Sequence, residues 1–147
     1  MTDTIAMILA AILIVPLLAV SLAHLLWSVG AKWPIRDERL LARSVVGSAG
    51  VERMPPKILS FGVGVATLIA CVLAMSLADH EGGGLSLTLV GVLLAAIFLA
   101  RGVVGYTDWW KKRTPEEPFR TLDRKNYSPL CLGIGAIFLV LVIMRLI

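Results

Sequence analysis

Four stretches of the chain contain almost no charge, and each is about long enough to cross a bilayer. They run from about Ile5 to Val29, Ile58 to Ala78, Leu85 to Val104 and Pro129 to Ile147. A spanning helix needs roughly 20 apolar residues, with a range of about 17–25. In hydrocarbon every backbone N–H and C=O must be paired within the protein, so only helices and closed barrels span. None of the stretches alternates polar and apolar residues as a barrel strand would. The reading is therefore all-α: an integral membrane bundle of four transmembrane helices, forming one domain over residues 1–147. Composition agrees, at 58% hydrophobic and 16% charged residues, against about 45–50% and 25% in soluble domains.

The connections set the topology. Asp79-His80-Glu81-Gly82-Gly83-Gly84 joins the second and third stretches, and so short a link forces an antiparallel hairpin. The other two connections, residues 30–57 and 105–128, are long and basic. Lys32, Arg36, Arg39, Arg43, Arg53 and Lys57 fall in or beside the first; Arg101, Lys111, Lys112, Arg113, Arg120, Arg124 and Lys125 fall in or beside the second. Only Arg145 lies elsewhere. Four crossings bring both basic loops to one side. Lys and Arg are retained on the cytoplasmic side, so both termini are expected outside the cytoplasm, in a bacterial inner membrane. The net charge of +4 then reflects loops near anionic headgroups rather than nucleic-acid binding.

Local signals refine this. The first stretch has no Lys or Arg before it and is too long for a signal-peptide core, so it reads as a retained helix. Pro16 predicts a kink within it. Ile35 to Val46 is weakly amphipathic and could lie along the headgroups. Thr114-Pro115-Glu116-Glu117 reads as a helix start, Ser128 as the N-cap of the fourth helix and Pro129 as its first residue. Trp33, Trp109 and Trp110 read as interface anchors. Gly62, Ala66, Ala70, Ala74 and Ala78 recur every four residues, a small-residue stripe suited to close helix packing. Gly91 with Ala95, Ala96 with Ala100, and Gly133 and Ala136 offer shorter ones.

Ionisable groups at membrane depth are expensive and point to function or to structural pairing. His24, Trp27, Arg101, Asp123 and Tyr127 converge on the cytoplasmic mouth in this topology. They form a candidate ligand-binding cluster, with His24–Asp123 or Arg101–Asp123 as possible pairs. His80 falls on the opposite side, and Arg145 is expected to snorkel outward. Cys71 and Cys131 sit at different depths and are expected as free thiols. No catalytic motif, metal-ligand spacing or membrane carboxylate pair is present.

Two motifs resemble a known family. Ala23-His24-Leu25-Leu26-Trp27-Ser28-Val29-Gly30, followed by Trp33, is similar to its first-helix signature. Phe119 to Leu132 carries an F-x-x-x-D-x-x-x-Y-S-P-L-C-L pattern similar to the start of its fourth helix, and Arg101-Gly102 fits the end of its third. The family is domain of unknown function 3995, small bacterial membrane proteins. The resemblance implies a four-helix membrane protein and no particular chemistry or cofactor.

Two functions fit these features. One is a non-enzymatic accessory or assembly subunit of a membrane complex, whose partners are the bilayer and other membrane subunits. The other is a binder or carrier of a small lipophilic or amphiphilic ligand through the polar cluster. An enzyme using His24 or Asp123 as acid or base is a third, less supported, reading.

Overall fold

A computed structural model of the chain describes residues 2–79 and 82–147. His80 and Glu81, assigned above to the turn, lie outside the described residues. The elements are α1 (Thr2–Ser28), α2 (Glu38–Val45), α3 (Lys57–Ala78), α4 (Gly84–Val104), α5 (Asp108–Arg113), α6 (Phe119–Leu122), a π-helical turn (Asp123–Tyr127) and α7 (Ser128–Leu146). No strand occurs among the described residues. Helices α1, α3, α4 and the segment ending in α7 are long and apolar enough to cross a membrane. Only 22–33% of the most apolar stretch of each is buried inside the protomer. The rest is an apolar exterior, as expected of helices that face lipid.

Helix α1 runs unbroken through Pro16. It packs along α3, while α4 packs along α7; α3 and α4, although adjacent in sequence, touch much less. The apolar core lies in the half of the bundle nearer the end of α3 and the start of α4. Leu13 and Leu17 of α1, Leu77 of α3, and Phe138 and Leu141 of α7 are fully buried there. Phe98 of α4 stacks on Phe138 with ring centroids 6.0 Å apart.

The small-residue stripe of α3 divides. Ala70, Ala74 and Ala78 are buried in the core, but Gly62 and Ala66 are exposed. Four residues turn a helix by about 400°, so the stripe drifts about 40° per step and leaves the contact face. Close approach at the loop end falls instead to Gly64, whose position would put a Cβ 2.8 Å from the Leu25 side chain. The Ser21 hydroxyl ties the same level, donating to the Gly64 carbonyl at 2.8 Å. On the other pair, Gly102 abuts Leu132 and Gly135 abuts Leu99, while Gly133 has open space around it.

Arg145 reaches to the end of the bundle where α3 stops. Its guanidinium donates to the carbonyls of Asp79 at 2.5 Å and Gly82 at 2.6 Å, where α3 ends. The last carbonyls of a helix lack intrahelical donors and carry partial negative charge. A cation at that end is therefore held by the chain.

Candidate functional site

The site is built where the chain enters α7. From Asp123 to Tyr127 the helix widens to a π turn, and the Ser128 N–H bonds to the carbonyl of Asp123, five positions back. The next residue, Pro129, has no N–H to continue the pattern. The carbonyl five positions before it, on Arg124, instead accepts from the Tyr106 hydroxyl at 3.2 Å. Ser128 is therefore not an N-cap, because the chain is already helical when it arrives. The widened turn leaves Arg124, Lys125 and Asn126 exposed and Asp123 only 1% exposed.

The buried Asp123 carboxylate is engaged at both oxygens. Arg101, in the last turn of α4, donates from Nη2 to Oδ1 at 2.7 Å. The Trp110 indole donates from Nε1 to Oδ2 at 2.9 Å. The Arg101 guanidinium also sits 5.0 Å from the Trp110 ring centroid, a cation–π distance. Gly105 closes the top of this triad: a Cβ there would meet Ser128 Oγ at 1.8 Å and Asp123 Oδ2 at 2.8 Å. Arg101 Nη1 and Ser128 Oγ are buried with no hydrogen-bond partner among the described residues.

Of the two pairings considered from the sequence, Arg101–Asp123 is the one that forms. His24 stands apart. Its Nδ1 lies 2.8 Å from the Val20 carbonyl, and its ring is 4.8 Å from the Trp27 ring. Trp27 in turn donates to the Trp33 carbonyl at 2.6 Å. His24 and Trp27 line a separate cleft of about 180 Å³ between α1, the start of α3 and the end of α2.

Tyr127 faces neither group. Its hydroxyl donates to the Ser44 carbonyl at 3.1 Å, and its ring packs on Phe119. This contact belongs to a junction between the two long loops. Asp37 caps α2 by accepting from the Leu40 N–H at 2.7 Å, which turns Leu41 inward to full burial. Gly47 follows with φ of +69° and no room for a Cβ against Phe119. Glu116 accepts from the Gly50 N–H at 3.0 Å and pairs with Arg43 at 2.8 Å. The Gly50 N–H, with the Arg43 charge beside it, holds the Glu116 carboxyl below the usual glutamate range.

Three contributors had no place in the cluster expected from the sequence: Trp110, Ser44 and Glu116. Trp110 read as an interface anchor beside Trp109. A signal was present, since Thr107 caps α5 by accepting from the Trp110 N–H. Neighbours on a helix point about 100° apart, so the two indoles cannot share a role. Trp109 stays 60% exposed while Trp110 turns to Asp123. Thr114 closes α5, with its N–H bonded to the Trp110 carbonyl, and helix resumes only at Phe119. Cys71 is buried, Cys131 is half-buried, and both are free thiols. Among the described residues no three His, Cys, Asp or Glu side chains gather as metal ligands.

A family model described as "Protein of unknown function (DUF3995)" matches residues 17–138. That span includes His24, Trp27, Arg101, Trp110, Asp123 and Tyr127, and stops short of Arg145. No curated protein and no solved structure matches the chain.

Proposed function

The chain belongs to the DUF3995 family, and from that premise we propose that it is a non-enzymatic accessory or assembly subunit of a complex in the bacterial inner membrane. The observation carrying this reading is the closed state of Asp123. A carboxylate acting as a general base needs an oxygen within reach of a substrate proton. Here one oxygen faces Arg101, the other faces Trp110, and 1% of the residue is exposed. The triad serves to join the end of α4 to the start of α7 and to α5. The uncovered apolar faces of the four helices supply surface for lipid and for a partner helix.

The asymmetry of Lys and Arg supports basic loops in the cytoplasm and both termini outside it. Cysteines introduced at positions 36 and 112 would then react with an impermeant reagent from the cytoplasmic side alone. Native mass spectrometry of the protein released in mild detergent tests the main reading. A stable complex with a different membrane polypeptide is expected. A protomer that emerges alone under conditions preserving other membrane complexes would overturn it.

A further inference from the structure

We propose that the cleft between the end of α1 and the start of α3 binds the hydroxyl end of an uncharged, membrane-dissolved amphiphile. The polar atoms that line it define the chemistry. The Val20 carbonyl can only accept, so His24 Nδ1 must be the donor in their 2.8 Å contact. With Nδ1 engaged, Nε2 is the ring nitrogen left for a ligand. Ser60, 5% exposed, lines the same cleft, and its hydroxyl makes no hydrogen bond to any described residue. A ring nitrogen and a hydroxyl that can donate or accept, lining one cleft, match one group above others, an O–H on the ligand, which can itself donate and accept.

The walls say what carries that group. Val46, Leu59 and Val63 are apolar, and Trp27 offers its ring because its N–H is engaged by the Trp33 carbonyl. Among the described residues no Asp, Glu, Lys or Arg lines the cleft, so a charged headgroup would lose its hydration there without a counter-charge from any of them. A volume of about 180 Å³ suits a glycerol-sized or single-ring head. Position agrees as well: Ser60 lies in the first turn of α3 and His24 in the last two turns of α1. This is the level at which a membrane amphiphile holds its polar end. The cleft shares no residue with the Arg101–Asp123–Trp110 triad, and the inference does not depend on the accessory-subunit reading.

The test uses the full chain in nanodiscs and brominated quenchers of tryptophan fluorescence. Three probes are compared at equal mole fraction: dibrominated diacylglycerol, a brominated long-chain alkylphenol, and dibrominated phosphatidylglycerol. The Trp27→Phe variant isolates the Trp27 signal. One of the uncharged probes is expected to quench that signal about threefold to tenfold more effectively than phosphatidylglycerol, the worth of one or two net hydrogen bonds. The preferred probe identifies a glyceride or an aromatic head. His24→Phe, which keeps a ring but removes its nitrogens, and Ser60→Ala should each abolish the preference. Equal quenching by all three probes overturns the proposal. So does a preference that survives Ser60→Ala, a change small enough to leave the fold intact if His24→Phe does not.

Discussion

The Arg101 guanidinium and the Asp123 carboxylate, 22 residues apart in sequence, meet at 2.7 Å with the Asp123 side chain 2% and the Arg101 side chain 33% exposed. Breaking a buried pair by removing one partner costs roughly 3–5 kcal/mol, because the other charge is left without compensation. Arg101 keeps some access to water, so Asp123→Ala should fall near the low end, about 3 kcal/mol. Arg101→Met strands the more deeply buried charge and should cost more. Thermal unfolding in detergent measures both. A loss below about 1 kcal/mol for either variant, the level of an exposed pair, would show that the contact does not hold the loops to the bundle.

Ser128 and Gly105 make opposite predictions at adjacent atoms. The Ser128 hydroxyl is buried without a partner among the described residues, and such a group carries a desolvation cost of about 1–3 kcal/mol. Ser128→Ala should therefore leave stability unchanged or raise it. Gly105→Ala inserts a methyl against Ser128 Oγ and should lose about 1–3 kcal/mol through overpacking. Adding Ser128→Gly to Gly105→Ala should restore part of that loss in the same unfolding assay.

Four glycines test the rotational setting of the helices. Gly62 and Gly133 have nothing within 4 Å of a notional Cβ. Alanine at either should stabilise by up to about 1 kcal/mol, since glycine weakens a helix interior by that amount. Gly64 and Gly135 face side chain and backbone of Leu25 and Leu99 at 2.7–3.2 Å. Alanine there should destabilise by about 1–3 kcal/mol. If Gly62→Ala proved the harmful change, α3 would present a different face to α1.

The loop junction should weaken in acid. Hydrogen bonding from the Gly50 N–H, with the Arg43 charge, lowers the folded-state pKa of Glu116 below its ordinary 4.5. The unfolded junction then binds the proton more readily than the folded one as pH falls through that window. Its contribution is full above pH 4.5 and is lost progressively below it. Protection against hydrogen exchange at residues 47–50, corrected for the intrinsic rate, should fall below pH 4.5, and Glu116→Gln should flatten that dependence. An unchanged acid response in the Gln variant would assign it to other groups.

What could be read directly from the chain was whatever local composition controls. Four nearly uncharged stretches of spanning length, the short glycine-rich link and the gathering of Lys and Arg into two loops define helices and their order. Those features need no knowledge of neighbours, because hydrocarbon imposes backbone pairing within each segment. The inward face of each helix was another matter. In α1, α3, α4 and α7 apolar residues lie on all sides, so no amphipathic period marks the side that meets a neighbour. Spacing by four accordingly pointed to Gly62 and Ala66, whereas contact falls on Gly64. The polar residues show the same division. Position in the chain placed His24, Arg101, Asp123 and Tyr127 near one end, but tertiary packing sorted them into a triad, a cleft and a loop junction. Trp110 joined Asp123 only because α5 turned it inward and the π turn delivered the carboxylate to meet it. A partner chosen across helices depends on rotation and turn width, which no single segment encodes.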